Sequence, residues 1–197
     1  MTTGRIISRG ETPASNANIA NIITVVRILL APLFVWMLLA DNGELGALRY
    51  AAAALFVFAI VTDALDGYLA RSRNLVTDLG KILDPIADKA LTGAALVVLS
   101  VLRELPWWVT ALVLLREVGI TVYRFAVLSK RVIPASKGGK LKTVLQSVAI
   151  TLALAPLPAL LGEWVNGVNI AFMAAAFVVT ILTGVQYLID DRRLNRG

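Results

Sequence analysis

Residues 63–88 read DALDGYLARSRNLVTDLGKILDPIAD. Asp63 and Asp66 open the stretch, Asp84 and Asp88 close it, and Asp78 lies in the turn between them. Long apolar runs flank it on both sides. Carboxylates at the ends of apolar helices are costly, so they mark a site by default. At about 100° per residue on a helix, Asp63, Asp66 and Ala70 share one face, with Gly67 and Arg71 beside it. Gly80, Asp84 and Asp88 recur every fourth residue and make a second stripe. Between Arg71 and Gly80 come Ser72, Arg73, Asn74, Thr77 and Asp78, a polar turn. The two stripes can therefore face each other across a helical hairpin. Asp78 belongs to neither stripe and reads as a solvated or capping residue.

The flanking runs set the fold class. The first spans about Ile19 to Ala40 and carries one charge, Arg27. After the turn signal Asp41-Asn42-Gly43-Glu44, the second runs from Leu48 into the aspartate stretch. The third goes from Ile82 to Arg103-Glu104-Leu105-Pro106, and the fourth from the interfacial pair Trp107-Trp108 to Leu128. A basic loop, Lys130 to Lys142, contains Gly138-Gly139. The fifth run covers 143–161, broken near its end by Pro156 and Pro158, and the sixth covers 168–189. Runs of this length cross a bilayer, so the expected fold is an all-α membrane protein with six transmembrane helices in one bundle. Residues 1–18 lack an apolar segment and a small-residue cleavage site and read as an N-terminal tail. Residues 19–189 form the membrane domain and 190–197 a charged C-terminal tail. Small residues at 51–54 and 174–176 read as close helix packing.

Composition narrows the chemistry. Of 197 residues, 58% are hydrophobic and 16% charged, above the apolar content of soluble domains. The net charge of +6 is read as basic loops facing anionic lipid rather than as a nucleic-acid surface. Of the 19 Lys and Arg, only Arg49 and Arg103 fall at the three tips opposite the termini, where Asp41, Glu44, Glu104 and Glu163 also lie. The positive-inside rule then puts both termini and the aspartate stretch on the cytoplasmic side. There is no cysteine and no histidine, which excludes disulfides, thiolate metal sites and the commonest general base. Carboxylates remain. Four of them gathered together repel unless cations lie between them, and all-oxygen ligation suits Mg²⁺, Mn²⁺ or Ca²⁺. Because Mg²⁺ is commonly shared with substrate phosphates, a phosphate-bearing ligand is implied. Gly67, Ala70 and Gly80 leave room for it, and Arg71 offers a fork.

The pattern D-x2-D-G-x2-A-R-x8-G-x3-D-x3-D, at Asp63, Asp66, Gly67, Ala70, Arg71, Gly80, Asp84 and Asp88, resembles the signature of the CDP-alcohol phosphotransferases. The six-helix layout is similar to that family over most of the chain. The resemblance implies that a CDP-linked lipid donates its phosphatidyl group to an alcohol and CMP leaves, with two divalent metals, normally Mg²⁺ (Mn²⁺ possible), at the site. It implies that Asp63, Asp66 and Asp84 ligate metal, and that Asp88 supports the metal and takes the proton of the attacking hydroxyl. Gly67, Ala70, Arg71, Gly80 and Thr77 would line the CDP portion, joined by Asn21 and Thr24 on the first helix. Many relatives have proline before that asparagine; this chain has Ala20, a change of helix entry. Arg27, two turns into an apolar helix, is expected to face the bundle and support the site; the alternative is snorkelling to the interface.

A second cluster bears on the acceptor: Arg116, Arg124, Lys140 and Lys142. Adjacent helix positions do not face each other, so an Arg116–Glu117 pair is not expected. Cations converging near a metal–phosphate site suggest an acceptor with its own phosphate. The segment REVGITVYRFAVLSKRVIPASKGGKLKTVLQ, with G-K-x-K-T at 139–143, resembles bacterial phosphatidylglycerolphosphate synthases. That likeness implies CDP-diacylglycerol and sn-glycerol 3-phosphate as substrates, a homodimer, and an inner-membrane location with a cytoplasmic site. The alternatives are another acceptor (inositol phosphate, serine or phosphatidylglycerol), a divalent-cation transporter, or a non-catalytic lipid scaffold.

Overall fold

In a computed structural model the described backbone covers residues 19–72, 78–128 and 137–194, all of it helix and short connections. Helix α1 spans Ile19–Asp41, α2 Ala47–Ser72, α3 Asp78–Val101, α4 Trp107–Leu128, α5 Lys137–Leu154, α6 Leu157–Leu161 and α7 Trp164–Leu194. The fifth apolar run thus yields two helices. Pro156 lacks a backbone N–H and separates α5 from the single turn of α6. Helix α5 also starts earlier than the apolar run, taking in Gly138-Gly139 and the three lysines Lys137, Lys140 and Lys142 of the basic loop.

The helices close into a ring. Helix α1 packs along both α2 and α3; α3 packs on α4, α4 on α7, α7 on α5, and α5 returns to α2. Helix α3 also touches α5 across the middle. The turn expected between the two aspartate stripes falls at 73–77 and lies, with most of the side chains of both stripes, outside the described residues; the described ring packs α1 along both α2 and α3. Its core is Phe34, Leu38, Phe56, Leu96, Leu99, Ile150 and Leu154, with the Phe34 and Phe56 rings 5.8 Å apart. Ala52, Ala53 and Ala176 are buried, as close packing requires, whereas Ala51, Ala54, Ala174 and Ala175 face outward.

The outside is apolar. Leu29, Phe58, Leu115, Val122, Ile170 and Leu182 are all more than 60% exposed. Among the described residues three stretches are long and apolar enough to cross a membrane: Ile23–Asp41, Ala47–Leu65 and Trp164–Asp190. Their most apolar windows are only 28, 28 and 17% buried, an apolar surface that suits lipid and not water. Trp107, Trp108 and Trp164 are exposed together at one end, where indole rings suit a membrane interface.

The turns at that end are tightly made. Asp41 is buried and accepts hydrogen bonds from the backbone N–H groups of Leu45 and Gly46, at 3.1 and 2.8 Å. Helix α3 ends in a Schellman cap, with Glu104 N–H bonded to Leu99 O and Arg103 N–H to Ser100 O. Arg49 is fully buried there: its Nε donates to Leu154 O at 2.9 Å and its Nη2 to Ala153 O and to Glu104. Of the two basic residues assigned to the tips by the charge count, one is therefore a helix-end staple.

Candidate active site

At the opposite end, α1 brings its polar residues into the bundle. Thr24 and Arg27 are buried, and Arg27 Nη1 meets Asp63 Oδ1 at 2.5 Å. Arg27 thus faces inward and does not snorkel. The pair joins α1 to the first aspartate of the signature. The Asp63 side chain remains 43% exposed. On α3, the Asp88 side chain is 41% exposed, with Lys89 Nζ 3.7 Å from its Oδ2; Thr92 Oγ1 donates to the Asp88 carbonyl at 2.7 Å. The side chains of Asn21, Asp66, Ala70, Arg71, Asp84 and Arg124 lie outside the described residues, as does Thr77, while Gly67 and Gly80 are on the described backbone of α2 and α3.

Among the described residues no three acidic groups come together as a metal cluster; these include two of the four signature aspartates. The donor chemistry fits a hard divalent cation. It is carboxylate oxygen only, without sulfur or imidazole, and Asp63 and Asp88 both stay open enough for a partly hydrated ion.

Deeper in the ring lies a charged cluster centred on Glu117 of α4. Its Oε1 accepts from Arg116 Nη1 at 2.8 Å and from Lys142 Nζ of α5 at 2.7 Å; its Oε2 accepts from Lys89 Nζ of α3 at 2.9 Å. Glu117 and Lys142 are buried. Arg116 Nη2 also donates to Thr183 Oγ1 of α7 at 3.2 Å. Four helices of the ring therefore meet in one group of polar side chains.

This corrects the expectation that Arg116 and Glu117 do not pair. Their Cβ atoms do diverge, but the long guanidinium stem folds back across the helix. It can do so because it lies against Gly184 of α7, where a Cβ would stand 3.0 Å from Arg116 Cγ and 3.1 Å from Nε. Of the four predicted acceptor cations, Arg116 and Lys142 are brought together. Lys140 is exposed on the first turn of α5. Sequence reasoning missed Lys89, which immediately follows Asp88, and it treated Glu117 only as a competing partner. It also missed Gly184 and Thr183, whose sole signal is a polar Thr-Gly step inside an apolar run.

Three cations meet the Glu117 carboxylate here, and among the described residues only Lys89 has a second carboxylate, Asp88, at 3.7 Å, so positive charge remains in excess in a largely buried place. Uncompensated buried charge is unfavourable, so the cluster is suited to receive an anion. Lys89 of this cluster also stands 3.7 Å from Asp88, so the cluster adjoins one of the signature aspartates. The chain matches the CDP-alcohol phosphatidyltransferase family over residues 17–182. It belongs to that family. Members of the family depend on a divalent metal. The chain is similar to a probable phosphatidylglycerophosphate synthase of Mycobacterium tuberculosis H37Rv, 47% identical over 94% of this chain and 85% of the relative. It is also similar to the CDP-diacylglycerol–glycerol-3-phosphate 3-phosphatidyltransferases of Bacillus subtilis and Shigella flexneri. Each is 38% identical, covering 86 and 89% of this chain and 93 and 95% of those relatives.

Proposed function

We propose that this chain transfers the phosphatidyl group of CDP-diacylglycerol to sn-glycerol 3-phosphate, giving phosphatidylglycerophosphate and CMP. The observation that carries the reading is the Glu117 cluster, with its surplus positive charge one residue from Asp88. An acceptor bearing its own phosphate is the anion such a cluster suits. The names of the relatives agree with this choice of substrates.

In this reading Asp63, Asp66, Asp84 and Asp88 hold two divalent ions, Mg²⁺ or Mn²⁺. When bound, the ions neutralise charge on the pyrophosphate of the donor. Arg27 holds the Asp63 carboxylate in place through its ion pair. Asn21, Thr24, Gly67, Ala70, Arg71, Thr77 and Gly80 line the CDP portion. Arg116, Arg124, Lys140 and Lys142 attract the acceptor phosphate. The acceptor hydroxyl oxygen then bonds to the phosphatidyl phosphorus, the P–O bond to CMP breaks, and Asp88 takes the hydroxyl proton, a role that a chain without histidine must give to another base. The domain of residues 19–189 spans the inner membrane six times as a homodimer, with both termini and the site on the cytoplasmic side, where water-soluble glycerol 3-phosphate is available. The pattern of basic loops supports that orientation.

Release of CMP by the purified protein, offered CDP-diacylglycerol with each acceptor in turn, tests the reading. Release with glycerol 3-phosphate, dependent on a divalent ion, is expected. Release only with serine, inositol phosphate or phosphatidylglycerol would reassign the acceptor. Ion flux into vesicles without CMP release would favour a transporter.

A further inference from the structure

Resting on the phosphate-bearing acceptor proposed above, we infer that Lys89 is a further acceptor-phosphate residue and that Glu117 is the positioning residue that holds it, with Arg116 and Lys142, in readiness. Lys89 stands between two carboxylates: its Nζ is 2.9 Å from Glu117 Oε2 and 3.7 Å from Asp88 Oδ2. Its side chain is 24% exposed, whereas that of Lys142 is 8% and that of Glu117 7% exposed. Of the three cations on Glu117, Lys89 is thus the most open to an incoming ligand and the one that also reaches Asp88. A phosphate gripped by Lys89 is carried to the neighbourhood of the proton acceptor.

Glu117 is what keeps three like charges together. Both of its oxygens are used, one by Arg116 and Lys142 and the other by Lys89. Without that carboxylate the three cations repel and each must find another partner or solvent. With it they are gathered on one side before the acceptor arrives, so little ordering remains to be done on binding. The remaining charge has the sign that suits the ligand. A phosphate monoester carries about −1.5 to −2 near neutral pH, and three cations here face Glu117 and, at 3.7 Å from Lys89 alone, Asp88.

The test is steady-state CMP release by the full-length protein, varying glycerol 3-phosphate and CDP-diacylglycerol separately, with inorganic phosphate as a competing probe. Lys89→Met and Glu117→Gln are each expected to raise KM for glycerol 3-phosphate about 10- to 100-fold, the loss of a charge-assisted contact. Inhibition by inorganic phosphate should weaken in parallel, and KM for CDP-diacylglycerol should stay within about two-fold by the same scale. Glu117→Asp keeps the charge and should recover part of the loss. A fall in kcat with both KM values unchanged would overturn the inference, and so would a lower KM for glycerol 3-phosphate in Glu117→Gln, which would make Glu117 a competitor of the phosphate. If Glu117→Gln does not fold, Lys89→Met carries the same test at a half-open position. Should the wild-type protein use a different acceptor, the variants are scored on that one: a selective KM effect on a phosphate-bearing acceptor sustains the inference, and productive use of a neutral acceptor alone ends it.

Discussion

Arg27 of α1 and Asp63 of α2 are joined by an ion pair at 2.5 Å, with the arginine side chain 7% exposed and the aspartate 43%. The pair ties the start of α1 to the end of α2, in a ring where α1 also packs along α3. Arg27→Met takes the guanidinium away from Asp63 and removes a hydrogen-bonded charge from an apolar helix. Because the carboxylate is partly solvated, the cost is discounted to about 1–3 kcal/mol. A lower thermal midpoint in detergent is expected, partly restored by Arg27→Lys, which can supply the charge but not the fork. An unchanged midpoint in Arg27→Met would mean the pair contributes nothing to the fold.

Arg49 makes a different prediction, because it lies at the far end. It bonds the carbonyls of Ala153 and Leu154, where α5 stops before Pro156, and it also meets Glu104. Arg49→Met strands these acceptors at a fully buried position and is expected to cost about 3 kcal/mol. KM for both substrates, measured well below the unfolding temperature, should not move. A substrate-selective KM change would contradict the separation of this staple from the site.

Much of this architecture is legible in the sequence, for identifiable reasons. Apolar run length reports the helices because a lipid-facing helix must be apolar along its length; α1, α2 and α7 follow from it directly. The spacing of Asp63, Asp66, Asp84 and Asp88 with their neighbouring glycines and arginine carries the resemblance to the family, which the match over residues 17–182 bears out. What spacing within one helix does not contain is which helices are neighbours. The wedge of α1 between α2 and α3 and the meeting of Lys89, Glu117, Lys142 and Thr183 from four helices depend on the ring order. The Arg116–Glu117 pair escapes helical spacing for a related reason. Backbone geometry sets Cβ directions, but a long guanidinium goes where a neighbouring glycine makes room.

The cap of α3 carries a measurable strain. Arg103 occupies the position where a Schellman motif favours glycine, with φ at 63°. A side chain in this left-handed region costs about 1–2 kcal/mol, and Arg103 is exposed. Arg103→Gly should therefore raise the unfolding midpoint, by the equivalent of about 1 kcal/mol once the extra freedom of glycine in the unfolded chain is set against it. A lower midpoint would show that the arginine makes a compensating interaction with its surroundings, such as the membrane interface.

Asp88 is expected to separate chemistry from binding. Asp88→Asn keeps the shape and removes the basic oxygen, so CMP release should fall by about 10²- to 10⁴-fold. Much of the CDP-diacylglycerol binding should survive, read by equilibrium binding of the CDP-lipid in the presence of the divalent ion. Chelation of that ion should abolish turnover in the wild-type protein. Full activity in Asp88→Asn would remove this residue from the role of base.

Gly184 tests whether the cation cluster depends on the close approach of α7. A Cβ there would stand 3.0 Å from Arg116 Cγ and 3.1 Å from Arg116 Nε, and these atoms belong to the stem of the side chain and not to its free end. Gly184→Ala asks the stem to move by a few tenths of an ångström, which a flexible chain can do, and KM for glycerol 3-phosphate should change by less than about three-fold. Gly184→Val adds branched bulk that the stem cannot step around. It should push the guanidinium away from Glu117 Oε1 and Thr183 Oγ1, now 2.8 and 3.2 Å away. The expected result is a rise of about 10-fold in KM for glycerol 3-phosphate with KM for CDP-diacylglycerol unchanged, because the strain falls on Arg116 and not on the aspartates. Equal effects of alanine and valine, or a valine effect on the CDP-lipid alone, would show that Gly184 serves helix packing and not the placement of Arg116.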